Sequence, residues 1–286
     1  MNSEILSLTN WLKSAPGQYL LTWEQVQFDQ AVSDIFGFHA LQLGFWELDT
    51  LRANRMPHRW LAEPSIATSI SEKYPAQSSS DLRQTAFAAV SSRPQAAFVT
   101  DSGALPFPQN SLDLVVLPHT LELSSDPHVT LREVERVLVP DGRVVISGFN
   151  PASLWGMRQR RAQLYQRFGY NDIFLPEVGE FIGYWRLRDW LRLLSFEVES
   201  ARFGCYRPAL ASQKWLARFD WMDKAGRRWW PIFGAVYFLV AVKRVRGVRL
   251  LDLGWKSHKP MAVAPVVVAN KAPSGESATS NFPFNS

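Results

Sequence analysis

Short apolar runs separated by polar segments recur along the chain. Residues 112–117 form the clearest run, which has the length of a strand and is apolar almost throughout, as a strand covered on both faces should be. A second run at 144–147 follows a Pro-Asp-Gly sequence at 140–142 that predicts a turn. Further strand candidates are residues 40–44, 59–62, 96–100, 196–202 and 235–242.

Helical patterns fill the spaces between these runs. Thr22 and Gln25 have the spacing of a capping box, which predicts a helix that begins at Thr22. Asp126 followed by Pro127 predicts a second helix start. Apolar residues within 187–194 recur at helical spacing and predict a third helix. Strand and helix therefore alternate, which predicts an α/β fold with a mainly parallel sheet.

The composition is that of a globular protein. Of the 286 residues, 47% are hydrophobic and 20% are charged, which excludes wholesale disorder and a coiled coil. A lone cysteine, Cys205, excludes an intrachain disulfide and a cysteine zinc cluster, and no metal site is indicated. The first residues lack the basic start and apolar stretch of a secretory signal, so we expect a cytoplasmic protein.

The longest apolar run, residues 229–242, is shorter than the roughly 20 residues that cross a bilayer. We therefore expect a buried strand and no stable membrane insertion. Trp229 and Trp230 stand at its start, directly after Arg227 and Arg228. Core packing around the last strands is one interpretation of the two tryptophans, and an aromatic pocket or contact with lipid headgroups is the other.

The chain divides into three parts by composition. Residues 1–37 form an N-terminal helical lead, and residues 38–256 form the main domain, in which 150–183 is an insertion or lid. Residues 257–286 are rich in Pro, Ser and Ala, which predicts a disordered tail. The net charge is only +5, but several arginines, including Arg161, cluster within the insertion.

Between residues 101 and 147 the motifs follow a recognisable order. Asp101 precedes Leu-Pro-Phe at 105–107, then comes the strand beginning Leu-Asp-Leu-Val at 112–115, and a helix ends in Glu-x-x-Arg-Val-Leu at 133–138 before the strand 144–147. This resembles a class I S-adenosylmethionine-dependent methyltransferase of the type 11 group. The resemblance implies a doubly wound, Rossmann-like sheet of seven strands, mainly parallel, with an antiparallel last strand.

The resemblance also implies a cofactor, S-adenosylmethionine, and residues that would bind it. In doubly wound sheets ligands bind outside the carboxyl ends of the strands. Gly44 matches the first glycine of the family's cofactor loop, and Glu63 has the spacing of the acid that binds the ribose. Asp101 would accept the adenine amino group, and Leu117 and Pro118 would line the floor beneath the sulfonium.

The first turn departs from the family pattern. Trp46 and Leu48 stand where the second and third glycines are expected, and Gln42 replaces an aspartate of the first strand. Two functions therefore stay open. One is methyl transfer from S-adenosylmethionine to an unidentified acceptor, and the other is a catalytically inactive protein of the same fold that binds a partner or a ligand.

Four further residues are candidates for the acceptor side. His119 follows the strand end, where an imidazole can orient a substrate or accept a proton, although a helix-start histidine bonded to backbone is the alternative. By their positions in the family pattern, Asn150 and Tyr184 would border the substrate pocket. Arg161 would grip an acidic substrate, unless it belongs to a solvated helix face. A small molecule is the first choice of acceptor, with RNA and protein as alternatives.

Overall fold

The strands of the protein pair into one sheet. The computed structural model describes residues 10–64, 97–166, 174–175, 181–210 and 212–244. The strands are β1 (His39–Leu43), β2 (His58–Pro64), β3 (Phe98–Thr100), β4 (Leu112–Pro118), β5 (Leu138–Phe149), β6 (Phe196–Gly204) and β7 (Val236–Lys243). Their order in the sheet is β3-β2-β1-β4-β5-β7-β6.

Strands β1 to β5 pair in parallel, and β7 lies antiparallel to both β5 and β6. The chain reverses its strand order beside β1, which is the place where doubly wound sheets bind ligands. The predicted fold class, a seven-stranded and mainly parallel α/β sheet closed by an antiparallel strand, is confirmed.

Helices cover the sheet. They are α1 (Ala15–Val32), α2 (Thr120–Leu123), α3 (Pro127–Val137), α4 (Leu154–Gln166), α5 (Tyr184–Leu193), α6 (Gln213–Arg218) and α7 (Trp221–Trp229). The predicted start of α3 is confirmed, since the Asp126 side chain accepts hydrogen bonds from the backbone N–H groups of His128 and Val129. None of the helices in the described part of the chain is both long enough and apolar enough to span a membrane.

The predicted start of the first helix was wrong. Helix α1 begins a full two turns earlier, where the Ser14 hydroxyl caps the N–H of Gly17. Thr22 lies inside the helix, and its hydroxyl donates to the carbonyl oxygen of Gln18 at 2.7 Å. A threonine hydroxyl can cap the start of a helix, or it can donate to a carbonyl oxygen one turn earlier inside a helix. The sequence spacing alone does not distinguish these two arrangements.

Alternating side chains of the strands build a core on each face of the sheet. On one face Phe28 of α1 packs against Phe238 of β7, with ring centroids 4.9 Å apart. On the other face Tyr237 and Leu239 of β7 lie with residues of α3 and α5, among them Leu131 and Leu187. Both faces are therefore covered, as the continuous apolar strands predicted.

Two other predictions need correction. Residues 140–142 are not a separate turn but part of β5, where pairing with β4 jumps from Leu138 to Arg143 and Asp141 takes a φ of 62°. The apolar run 229–242 is a strand only from Val236, because its first part ends α7 and forms a short 3-10 turn. The prediction for the tail 257–286 concerns a stretch outside the described residues, as does part of the prediction for the insertion 150–183.

The Glu-x-x-Arg sequence of α3 clamps the Leu-Pro-Phe segment onto the helix. The Arg136 guanidinium donates to the carbonyl oxygens of Leu105 and Phe107, at 3.2 and 2.8 Å, and to the Glu133 carboxylate. That carboxylate in turn accepts from the backbone N–H of Leu105 at 2.8 Å, and Arg136 lowers its pKa. The spacing of this motif therefore has a structural cause, since the pair fixes the loop that follows Asp101.

Replacing Arg136 with Ala should lower the free energy of unfolding by about 1–2 kcal/mol, because the two loop carbonyls lose a charged donor that is itself partly exposed. Urea denaturation followed by circular dichroism measures this change. The matched control is Arg132→Ala, since Arg132 is an exposed arginine of the same helix. Equal losses for the two variants would show that the clamp does not stabilise the loop.

Candidate functional site

The residues predicted for the cofactor meet at the edge of the sheet where the parallel strands end. Gly44 follows β1, and Glu63 is the last residue but one of β2. Asp101 directly follows β3, and Pro118 ends β4. Leu117 precedes Pro118, and both side chains are buried at that end of β4. Their spatial grouping follows from the parallel pairing, which brings the carboxyl ends of neighbouring strands together.

Acidic side chains mark the β1–β3 part of this edge. Burial, together with the nearby carboxylate of Glu47, raises the pKa of the half-buried Glu63. Asp101 is exposed, and one of its carboxylate oxygens accepts a hydrogen bond from the N–H of Gly103 at 3.0 Å. Two acceptor groups therefore stand at the ends of neighbouring strands, where hydroxyl and amino donors of a ligand would find them.

The turn after β1 is organised by a buried glutamine. The Gln42 amide nitrogen contacts the carbonyl oxygens of Gly44, Phe45 and Leu48 at 3.2, 3.1 and 2.7 Å. Its amide oxygen accepts from both the N–H and the hydroxyl of Thr50, at 3.0 and 2.7 Å. An aspartate has no donor for these carbonyl groups, which gives the replacement at position 42 a physical reason.

Residues 44–57, all of which the structure describes, contain no helix. Gly44 and Phe45 both have positive φ values, 74° and 51°, and the Phe45 side chain turns into the core. Its ring centroid lies 5.2 Å from that of His119. Trp46, by contrast, is 42% exposed. The link between β1 and β2 thus offers no helix N-terminus to a ligand.

His119 is buried between two carboxylates. Its Nδ1 lies 2.9 Å from Oε2 of Glu122, and its Nε2 lies 3.0 Å from Oε1 of Glu24 on helix α1. The other Glu122 oxygen accepts from the backbone N–H of Phe149. The rings of Phe45 and Phe149 flank the imidazole. We call Glu24, His119 and Glu122 the buried charge trio.

The charge trio favours a protonated imidazole. Burial by itself lowers the pKa of His119, but the charges of Glu24 and Glu122 and their hydrogen bonds outweigh it and raise that pKa to about 10. Burial also raises the pKa of the Glu122 carboxyl group, against the opposing effect of the imidazolium. At neutral pH both ring nitrogens therefore donate to carboxylates, and neither is available to accept a proton.

The sequence interpretation missed both glutamates. Glu24 is one of four fully buried residues, Leu20, Glu24, Phe28 and Val32, that follow one another at intervals of four along α1. A glutamate within an otherwise apolar stripe at helical spacing signals a paired internal charge. Glu122 also lies between apolar residues, in the run Thr-Leu-Glu-Leu, so its neighbours likewise indicated a buried charge.

The three remaining candidates lie apart from the acids. The buried Asn150 amide donates to the carbonyl oxygens of Ile232 and Gly234, at 2.7 and 2.9 Å, and its oxygen accepts from Ala152. Its polar atoms thus hold the chain after β5 against the start of β7. Tyr184 is partly buried against Tyr237, on the face of the sheet opposite α1. Arg161 is exposed on α4.

Stability should fall with rising pH because of His119. A pKa raised from about 6.5 to about 10 contributes stability that is complete below the lower value and is lost as pH rises through the upper one. Between about pH 7 and pH 8.5, wild type should lose about 2 kcal/mol more than His119→Gln. Urea denaturation at several pH values measures both slopes. Parallel slopes would mean that the folded protein holds a neutral imidazole.

Gln42→Leu should lower the free energy of unfolding by about 2–4 kcal/mol, since it leaves buried carbonyl groups and Thr50 without their partner. Thermal and urea denaturation measure the loss. Gln30→Leu is the control, because Gln30 is exposed and its amide oxygen accepts a hydrogen bond from the Arg202 side chain. A loss no larger than that of the control would contradict the role of Gln42 in the turn.

Comparisons with known proteins find similarity to methyltransferases over part of the chain. A family described as a methyltransferase domain matches residues 59–146. An uncharacterized protein of Escherichia coli K12, YafS, is 34% identical over 160 residues, which are 54% of this chain and 58% of that protein. The ubiquinone/menaquinone biosynthesis C-methyltransferase UbiE of Pasteurella multocida is 33% identical over 79 residues, 28% of this chain and 27% of that protein. The chain thus spans less than two thirds of these relatives.

Solved structures of similar shape include the complex of the Haloferax volcanii Trm112 methyltransferase activator with a methyltransferase, at 16% identity. The TM-score is 0.49, and the alignment covers 84% of this chain and 97% of that one. The second is an S-adenosylmethionine-dependent methyltransferase of Thermotoga maritima, with 14% identity, a TM-score of 0.47 and coverage of 77% and 89%.

The matched domain implies S-adenosylmethionine as the cofactor, and the residues present fit its adenosine part. Glu63 and Asp101 place carboxylate acceptors at neighbouring strand ends, beside Gly44, as ribose hydroxyls and an adenine amino group require. The turn after β1 is the part that differs, since Gln42 and Phe45 fill it. The match over residues 59–146 confirms the resemblance to the class I methyltransferases of the type 11 group.

Proposed function

We propose that the protein transfers a methyl group from S-adenosylmethionine to a small-molecule acceptor at the carboxyl edge of the sheet. The observation that carries the proposal is the grouping of Gly44, Glu63 and Asp101 at three neighbouring strand ends, beside the point where the strand order reverses. When bound there, the cofactor supplies an electrophilic methyl group on a sulfonium.

Different residues of this chain bind different parts of the cofactor. Glu63 accepts from the ribose hydroxyls, and Asp101 accepts from the adenine amino group while Gly103 fixes its orientation. The Glu133–Arg136 clamp holds the segment that begins at Leu105, four residues after Asp101. Leu117 and Pro118 supply the dry wall at the end of β4.

His119 acts in this proposal as a positioning residue. Its imidazolium joins Glu24 of α1 to Glu122 of α2 and so fixes the end of β4, where the acceptor must approach. Displacement at a sulfonium methyl depends mainly on holding the acceptor in line, so no protein base is required for a good nucleophile. Tyr184, Asn150 and Arg161 stay our candidates for contact with the acceptor.

A second function has its own observation. The helix-free connection 44–57, with Phe45 packed against His119, differs from a loop built for close backbone approach to a cofactor. It favours a methyltransferase-like protein that binds a partner or a ligand without catalysis. The two functions differ in a directly measurable property, the affinity for the cofactor and its product.

Calorimetric titration of the full chain with S-adenosylmethionine and with S-adenosylhomocysteine tests the proposal. We expect binding in the micromolar range, and Asp101→Asn and Glu63→Gln should each weaken it roughly tenfold, because each variant replaces a charged acceptor. Asp34→Asn is the control, since Asp34 is an exposed carboxylate that precedes β1 and so lies at the opposite edge.

Each outcome has a distinct meaning. Loss of affinity in the two edge variants alone supports the assigned cofactor site, and an acceptor screen with labelled cofactor follows. Unchanged affinity in both would place the cofactor elsewhere. Failure of the wild-type chain to bind either compound, with its circular dichroism intact, would overturn methyl transfer and favour the ligand-binding function.

A further inference from the structure

The structure corrects the interpretation of Trp229 and Trp230 as core residues. Their side chains are 69% and 49% exposed, and Pro231, Ile232 and Phe233 after them are exposed as well. We call residues 229–233, with the sequence Trp-Trp-Pro-Ile-Phe, the apolar tip. Five consecutive apolar residues are unfavourable on a surface that faces water, unless they bind a partner.

Further exposed apolar side chains lie close to the apolar tip along the chain. Of the sixteen large apolar side chains that are exposed in the described residues, six lie between positions 215 and 233. They are Trp215, Trp221, Trp229, Trp230, Ile232 and Phe233. Such a concentration within two short helices and a turn indicates a contact surface and not scattered exposure.

This surface is held rigidly by contacts on its inner side. The Tyr206 hydroxyl donates to the carbonyl oxygen of Pro231 at 2.8 Å, and the ring of Tyr206 packs so closely on Gly226 that a Cβ there would lie 2.4 Å from it. The Arg207 guanidinium donates to the Asp223 carboxylate and to the carbonyl oxygen of Leu216. The exposed side chains are thus presented by an anchored element.

The exposed charges of this surface are mainly positive. The two acids of segment 212–233, Asp220 and Asp223, both pair with the single Arg207, and Asp220 stays exposed. The segment also carries five exposed basic residues: Lys214, Arg218, Lys224, Arg227 and Arg228. An outward surface that combines tryptophans with arginines and lysines matches the chemistry of an interface between lipid headgroups and acyl chains.

We propose that the apolar tip and the basic residues around it bind the surface of an anionic phospholipid membrane. The tip enters the headgroup region, and the cations pair with lipid phosphates. Ile232 favours lipid over nucleic acid, because an aliphatic side chain at the tip gains nothing from base stacking. Lysines are depleted at protein–protein interfaces, so two of them among five cations favour lipid over a protein partner. This inference is independent of the proposed methyl transfer.

Co-sedimentation of the full chain with vesicles tests the proposal. We expect binding to phosphatidylcholine vesicles that contain about one quarter phosphatidylglycerol, with a blue shift of tryptophan emission, and much weaker binding to phosphatidylcholine alone. The double changes Arg227→Glu with Arg228→Glu, and Trp229→Ser with Trp230→Ser, should each reduce binding roughly tenfold or more. Added salt should weaken wild-type binding.

Two controls match these variants in exposure and charge. Trp185→Ser removes a tryptophan that is as exposed as Trp215, at 53%, but lies on α5. Arg132→Glu reverses an exposed charge on α3. Both controls should bind within about twofold of wild type, because a change outside the contact surface is close to neutral for binding.

Three results would overturn the proposal. The first is no binding of wild type to the anionic vesicles, and the second is equal loss in the control and tip variants. The third is binding to single-stranded RNA, lost with Arg227 and Arg228, without any vesicle binding, which would assign the surface to nucleic acid. If a tip variant fails to fold, quenching of wild-type tryptophan emission by lipids with brominated acyl chains decides the question.

Discussion

The interior of this protein depends on the buried charge trio. Three ionisable groups lie together in a site without solvent, and removal of His119 would leave two buried acidic groups without their cationic partner in a medium of low polarity. Glu24 and His119 are 95 positions apart, so the trio joins the N-terminal helix to the end of β4. The packing of α1 on the sheet and the conformation at the end of β4 are therefore energetically coupled.

The backbone at the strand end shows the same constraint. His119 has a φ of 52°, in the left-handed region that costs a non-glycine residue energy. Its two carboxylate partners and the hydrogen bond from the Thr120 hydroxyl to the carbonyl oxygen of Leu43 hold that conformation. The end of β4 is thus fixed in advance, and fixed geometry is what the proposed methyl transfer needs.

The turn after β1 differs from the rest of the carboxyl edge in that its carbonyl groups bond within the protein. Its carbonyl groups face the Gln42 amide, while Phe45 occupies the core beside His119. The strand ends of β2 and β3 instead carry acidic groups, to which we assign cofactor binding in the proposed function. The same edge therefore combines acidic groups, at strand ends where this fold class binds ligands, with a loop whose polar groups bond to other groups of the protein.

The sequence by itself determined the α/β class and most strand positions, because these follow from local periodicity. Parallel pairing then places the residues that follow those strands at the carboxyl edge, whereas the seven-stranded arrangement was implied by the family resemblance. Only the tertiary structure decided which distant groups meet. Glu24 faces His119 because α1 packs on β5 and β7, and no spacing within α1 states that partner. The exposure of Trp229 could not be predicted from the sequence either. An apolar run has the same sequence whether other elements of the fold cover it or leave it in solvent.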